Sequence, residues 1–266
     1  MPFKTLLSLA LMLLPAACAA AEFLPGKNLF RPFIADPTQP SYNVRLTGRV
    51  GAGKMAEINM GDGFGAVGWD LASGAQLRLG IMGGVAARFD IAKVTNDIQV
   101  ADYSLLFPLD YKKGPWELRA MYWHTSSHLG DDYIKSNNMQ SGDLDKHVTD
   151  DGRLLASYNV TPELRVYGGG GYAFNMIADS DGRHMLHGGW ECVLPAGEKT
   201  SYFTAMDLQS WQRVGWRPSF TARTGVRAQG KQAASVYLEF FSGQLLYLGL
   251  MPRAETHWSL GLGFEL

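Results

Sequence analysis

One segment of the sequence decides the fold, and it reads Trp116-Glu117-Leu118-Arg119-Ala120-Met121-Tyr122-Trp123. Its even positions carry side chains compatible with lipid, whereas its odd positions include a glutamate and an arginine. Successive side chains of a β-strand point to opposite faces of the sheet. The segment therefore predicts a strand with one face towards lipid and the other towards a polar interior.

The same pattern recurs from residue 42 to the end of the sequence. Segments of about ten residues alternate apolar and polar side chains, and turn residues separate them, which is the signature of a transmembrane barrel. Mostly short and longer connections alternate, which places both termini on the periplasmic side. We predict an all-β fold, a closed antiparallel transmembrane β-barrel of about 12 strands. The predicted strands are 42–52, 63–72, 76–88, 97–108, 115–127, 150–160, 163–174, 184–194, 200–210, 217–228, 233–242 and 256–266.

Composition supports this class of protein. The 266 residues include 31 Gly, 13 Phe, 11 Tyr and 7 Trp, whereas only 18% are charged. Glycines and aromatics spread through short segments are typical of barrels whose aromatic side chains sit at membrane interfaces. The near balance of 24 basic and 25 acidic residues argues against a nucleic-acid partner.

The N-terminus is typical of a secretory signal peptide. Lys4 gives a positive start, residues 6–14 form a short apolar run, and residues 15–21 offer small side chains to signal peptidase. An apolar run of this length is too short to span a bilayer permanently. We predict that residues 1–21 are cleaved during export. The mature chain then keeps only Cys192, so its fold does not depend on an internal disulfide.

The mature chain divides into a short N-terminal segment and the barrel. Residues 22–41 contain four prolines and are predicted to form a periplasmic lead-in, and residues 42–266 are assigned to the barrel. The strand register places charges of both signs in a narrow lumen, where they should pair and obstruct the interior. These residues are Arg45, Arg49, Arg78, Asp102, Glu117, Arg119, Glu163, Arg165, Glu191, Asp207, Arg223, Arg227 and Glu239.

Several motifs occur in order along the mature chain. The most specific is His124-Thr125-Ser126-Ser127-His128-Leu129-Gly130-Asp131-Asp132-Tyr133. Others lie at residues 29–37, 96–103, 166–171 and 241–244. Together they resemble the domain-of-unknown-function 1207 family of bacterial proteins. The resemblance implies an outer-membrane barrel and carries no established activity.

One constellation is suited to chemistry. His124 and Ser126 are two residues apart on a predicted strand, so their side chains share its lipid-facing row. A histidine can accept the serine proton so that the hydroxyl attacks an ester, provided that a third group orients the imidazole. Asp150 on the next strand has lipid-facing parity and lies as far from the lower turns as Ser126 does, so the two should sit at similar heights. The arrangement resembles the His-x-Ser motif of outer-membrane phospholipase A and, more loosely, of lipid A deacylase, which implies a lipid-acyl hydrolase.

Two alternatives to a catalytic role remain open. In the first, His124, Ser126 and His128 are polar residues of the upper rim, hydrogen-bonded to the loop 128–149. In the second, His128, Asp131 and Asp132 join His124 in a metal site, because their donor atoms suit a divalent ion such as calcium. An acidic loop is usually only solvated, so calcium remains a possible ligand and no cofactor is assigned.

Two functional classes therefore remain. We expect an exported protein of a Gram-negative outer membrane, inserted by the barrel assembly machinery and in contact with outer-membrane lipids and lipopolysaccharide. It is either a structural barrel or narrow, plugged conduit, or a lipid-acyl hydrolase of the phospholipase A or lipid A deacylase type. A pore requires a continuous path through the lumen, whereas a hydrolase requires an outward-facing pair of His124 and Ser126.

Overall fold

In the computed structural model, residues 20–49, 52–139, 147–177 and 182–265 are described. The predicted signal peptide therefore lies outside the described residues except for its last two positions. The elements are β1 (Glu22–Gly26), β2 (Tyr42–Arg49), β3 (Ala52–Asp70), β4 (Gln76–Asp90), β5 (Asp97–Lys113), β6 (Trp116–Leu129), α1 (Asp131–Ser136), β7 (His147–Asn159), β8 (Leu164–Ile177), β9 (His184–Pro195), β10 (Thr200–Trp211), a 3-10 turn (Gln212–Val214), β11 (Pro218–Ala228), β12 (Ala233–Gln244), a 3-10 turn (Leu248–Leu250) and β13 (Ala254–Glu265). None of the helices in these ranges is long and apolar enough to cross a membrane.

Strands β2 to β13 form a closed barrel. Each pairs antiparallel with the next strand along the chain, and β13 returns to pair with β2. Closure gives every strand two neighbours and removes the free edges of the sheet. The predicted twelve-stranded antiparallel barrel is confirmed. A thirteenth strand, β1, pairs with the lower part of β3, where Phe23 lies opposite Val67.

The barrel has a lower end and an upper end. The lower end carries both ends of the described barrel and the connections 71–75, 114–115, 160–163, 196–199 and 229–232. The upper end carries the longer connections 91–96, 130–146, 178–183, 212–217 and 245–253, and residues 50 and 51, between β2 and β3, lie outside the described residues. The predicted loop at 53–62 was wrong, because β3 extends from Ala52 to Asp70. Its glycines and polar residues mimic a loop, but each residue from Met55 to Gly65 has a partner on β4 that holds it extended.

Side chains alternate between the exterior and the interior as predicted. Large apolar residues are exposed on the exterior, among them Leu46, Leu118, Leu154, Leu238 and Leu260. Their neighbours along the strands point inward and include many charged residues that are buried. The exterior is therefore an apolar wall, and the interior is polar.

The interior charges pair with one another. Arg45 lies 3.1 Å from Glu57 and 3.0 Å from Glu239, and Glu239 also accepts a hydrogen bond of 2.6 Å from Arg223. Of the predicted lumen residues, Arg45, Asp102, Glu117, Arg119, Arg165, Glu191, Asp207, Arg223 and Glu239 are buried, Arg78, Glu163 and Arg227 are partly buried, and the side chain of Arg49 lies outside the described residues.

The N-terminal segment corrects one expectation. Residues 22–41 were expected to be a periplasmic lead-in, but Phe30 and Phe33 are buried inside the barrel. The backbone N–H of Phe30 donates to Asp110, the N–H of Ile34 donates to Glu191, and Arg223 donates to the carbonyl of Ile34. Charged side chains of the lumen therefore form hydrogen bonds with the backbone of this segment, and its aromatic rings pack between these charged side chains.

The upper end is also closed, by the connection 245–253. Leu245, Leu248 and Leu250 are buried in it. The N–H of Leu248 donates to Asp102 over 2.8 Å, and the N–H of Gly249 donates to Ser127 over 2.9 Å. This connection folds over the lumen and is tied to the inner face of β5 and β6.

Candidate active site on the outer wall of the barrel

The upper half of β6 carries the predicted site. Trp123, Thr125 and Ser127 point inward and are buried. The alternating residues between them, His124 and Ser126, therefore point outward, and the side chain of His124 is 35% exposed. This outward direction agrees with the strand parity from which the pair was predicted.

His124 is paired with Asp150. The two residues are directly opposite each other on β6 and β7, and Nδ1 of His124 lies 2.7 Å from Oδ1 of Asp150. The same carboxylate accepts a bond of 2.6 Å from the hydroxyl of Tyr122 and one of 2.7 Å from the amide of Asn175. Three donors, two from β6 and one from β8, thus hold Asp150, whose side chain is only 14% exposed.

A β-bulge in β8 brings Asn175 to this cluster. Asp150 lies opposite Asn175, but the next residue, Asp151, lies opposite Ala173, so Phe174 is an extra residue without a partner. A bulge of this kind reverses which residues of a strand face outward beyond it. Without the extra residue Asn175 would share the inward parity of Ala173, which is buried. Sequence alternation alone did not identify Asn175.

These contacts fix the chemistry available to His124. An ionised Asp150 only accepts hydrogen bonds, so the Nδ1 atom of His124 carries the proton that is donated to it. In the neutral ring with this tautomer, Nε2 of His124 is the nitrogen that can accept a proton. An imidazole oriented by a carboxylate in this way is the base of a serine hydrolase triad.

Ser126 is bonded to a different histidine. Its Oγ atom lies 3.0 Å from Nε2 of His128, two residues further along the same outward row. The ring of His128 in turn packs edge-on against Tyr103, with 5.7 Å between the ring centroids. Ser126 therefore stands between two histidines, and its hydrogen bond among the described residues is to the upper one.

The residues predicted for a metal site are not brought together. Asp131 and Asp132 lie in the first turn of α1 and are exposed, and Oδ1 of Asp132 lies 4.0 Å from Nζ of Lys135. Within the described ranges, the His, Asp and Glu groups close enough to share an ion are two lumen clusters, and neither contains His128, Asp131 or Asp132. Residues 140–146 of the acidic loop lie outside the described residues.

Comparison with known proteins places the chain in a family. Residues 6–246 match the model of the family described as protein of unknown function (DUF1207). The chain belongs to this family. No curated protein matches it.

Solved structures share the fold of this DUF1207 protein. Outer membrane phospholipase A from Escherichia coli is 15% identical, with a TM-score of 0.57 over 90% of this chain and 95% of that chain. The calcium-bound dimer of the Salmonella typhi phospholipase is 13% identical, with a TM-score of 0.56 over 90% and 94%. The KdgM porin, solved with disordered oligogalacturonate, is 12% identical, with a TM-score of 0.49 over 85% and 99%. The two phospholipase comparisons show that the fold is similar to that of outer-membrane barrels.

Proposed function

We propose that this protein is an outer-membrane hydrolase that cleaves acyl esters of lipids, with Ser126 as nucleophile and His124 as base. The observation that carries this proposal is the pairing of outward-facing His124 with Asp150 at 2.7 Å, two residues from an outward-facing serine. A membrane lipid reaches this face of the barrel directly, whereas a soluble substrate in the lumen does not. An acyl ester in the outer leaflet is therefore the substrate class that fits the position.

The reaction follows from the oriented imidazole. Ser126 turns from His128 towards His124, and Nε2 of His124 takes the hydroxyl proton as Oγ attacks the ester carbonyl. The protonated imidazole then gives this proton to the leaving alcohol, and the acyl group stays on Ser126. Water attacks the acyl-enzyme with His124 again as the base, which releases the fatty acid and restores the serine. Asp150 keeps its charge throughout and stabilises the imidazolium.

His124 is a better candidate for the base than His128. Both lie near Ser126 in the outward row, but only His124 has a carboxylate that fixes its tautomer. His128 contacts the serine and the ring of Tyr103. We assign to His128 the role of holding the serine before substrate binds.

Release of fatty acid by the purified protein tests the proposal. The mature protein in mixed micelles should release fatty acid from glycerophospholipid or from lipid A, and separate assays with and without calcium show whether the ion is needed. Ser126→Ala and His124→Ala should each reduce the rate by roughly a thousandfold or more, because the two groups act as a unit. Asp150→Ala should cost less, because a third member only orients and stabilises the base.

His128→Ala is the matched control. It removes the hydrogen bond that Ser126 makes among the described residues, yet we expect it to change the rate by less than about tenfold. A large loss in His128→Ala with little loss in His124→Ala would contradict our assignment of the base. No release from either lipid class by a heat-modifiable, folded wild-type protein would leave a non-enzymatic barrel as the function.

A further inference from the structure

The upper lumen encloses a cavity that the proposed hydrolase does not use. It lies beneath the connection 245–253 and has a volume of about 70 Å³. A single water needs roughly 10–15 Å³ by the same kind of measure, so several water-sized bodies fit. Its walls include two tryptophans on β6 and β10, Trp123 and Trp211, and the guanidinium groups of Arg153 and Arg213.

The cavity walls hold an excess of unused hydrogen-bond donors. Seven residues that line it have a buried polar atom without a hydrogen-bond partner: Arg45 (Nε), Trp123 (Nε1), Arg153 (Nε), Trp211 (Nε1), Arg213 (Nε), Tyr247 (hydroxyl) and His257 (Nδ1). Five of the seven are N–H groups of Arg and Trp, which only donate. Most buried polar groups in proteins are hydrogen-bonded. This number of unpaired donors around one cavity therefore requires a partner that accepts hydrogen bonds.

The three carboxylates that line the same cavity already have partners. Asp102 accepts bonds from the hydroxyl of Ser127 and the N–H of Leu248. Glu57 and Glu239 are both held by Arg45. Water donates as many hydrogen bonds as it accepts. It is therefore a poor match for cavity walls that offer mainly donors and whose carboxylates already have partners. An acceptor-only group matches them better.

Arg213 adds positive charge at this place. Its guanidinium stacks over the ring of Trp211 at 4.2 Å, and its described hydrogen-bonding contact is the sulfur of Met176 at 3.9 Å. Burial lowers the pKa of Arg213 to about 10, an effect that the attraction of Asp151 does not offset. A buried cation without a close anion is costly, and a bound anion would remove that cost.

We propose that this cavity binds a small oxyanion, of the phosphate, sulfate or carboxylate class, between the Trp123–Arg153 and Trp211–Arg213 pairs. The oxygen atoms of such an ion accept from the indole and guanidinium N–H groups. The volume admits an ion of a few heavy atoms. This site is on the inside of the barrel and is independent of Ser126 and His124.

Anion-dependent stability of the whole mature protein tests the site. The thermal unfolding midpoint is measured in detergent against increasing phosphate, sulfate or acetate, with chloride keeping the ionic strength constant. Wild type should show a saturable rise, because an ion that binds only the folded state stabilises it. The anion with the lowest half-saturating concentration identifies the class.

Two variants and one control decide the outcome. Trp211→Phe removes one N–H and keeps an aromatic ring, and Arg213→Gln removes the charge; each should raise the half-saturating concentration at least tenfold. Trp258→Phe is the control: it makes the same tryptophan-to-phenylalanine change on the exterior wall, where the side chain is exposed. Its half-saturating concentration should equal that of wild type. If Arg213→Gln does not fold, Trp211→Phe still tests the site. An unsaturable rise, or the same saturation in wild type and Trp211→Phe, would mean that the cavity holds water alone.

Discussion

Asp150 is an unusual residue for its position. It lies on the outer wall between Tyr122 and Asn175, in a row that Leu154 continues with an apolar side chain. An ionised side chain on a membrane-facing wall is costly unless it is satisfied. Its three hydrogen bonds reduce that cost, but an apolar residue at this position would carry no such cost at all. The cluster is therefore better explained by use than by stability.

We predict that Asn175 is a positioning residue for His124. Asn175→Ala removes one of the three donors that hold Asp150, so the imidazole should be oriented less well and kcat should fall by about tenfold, with KM for micellar lipid unchanged. Asn137→Ala, at the end of α1, is the matched control and should leave both constants as in wild type. A rise in KM at constant kcat would show instead that Asn175 contacts the substrate.

Strand parity explains which site residues were predictable. A period of two predicted that His124, Ser126 and Asp150 face outward. Equal distances to the lower turns predicted that Asp150 is level with Ser126, whereas the structure places Asp150 opposite His124 and Val148 opposite Ser126. Asn175 did not follow, because the unpaired Phe174 shifts the period and no local residue type marks a bulge. The bond from Ser126 to His128 also was not expected, because it depends on a rotamer choice between two equivalent neighbours.

At the level of elements, prediction failed where chain segments lack an ordinary strand pattern. The upper half of β3 contains Gly53 and Gly61 beside polar residues, so it resembled a loop until its pairing with β4 was known. The segment 22–41 resembled a linker because of its prolines. Two of its three phenylalanines, Phe30 and Phe33, are buried, and they were the available signal that part of the segment packs inside the barrel.

We predict that the N-terminal segment stabilises the barrel. Phe33 stacks on Tyr167 with 3.7 Å between the ring centroids and packs edge-on against Phe30. Phe33→Ala should lower the free energy of unfolding by about 3–5 kcal/mol, as is typical of a buried aromatic ring. The measurement is denaturant-induced unfolding in lipid vesicles. Phe23→Ala changes a side chain that is 77% exposed and should have little effect. An equal loss of unfolding free energy in both variants would contradict a stabilising role for the buried part of the N-terminal segment.

At the scale of the whole molecule, an apolar wall surrounds a charged interior. This arrangement is inverted relative to a soluble protein, and it supports our proposal of a membrane location. We predict that the mature protein fractionates with the outer membrane and migrates differently on gels before and after heating. Recovery from the soluble periplasmic fraction would contradict the proposed location, whatever the catalytic assays show.

The obstructed interior leads to a prediction about ion conduction. The lumen is obstructed three times along its length: by the segment around Phe30 and Phe33, by ion pairs such as Arg45 with Glu239, and by the connection 245–253. Opening a path would require removal of buried rings and separation of buried charges, and each costs several kcal/mol. Purified protein in planar bilayers should therefore show little or no steady conductance. Replacing residues 28–38 by a flexible linker of equal length should raise the frequency of brief openings, because only one of the three obstructions is removed. Large, stable currents from the wild-type protein would show that the interior is not closed and would favour a solute conduit.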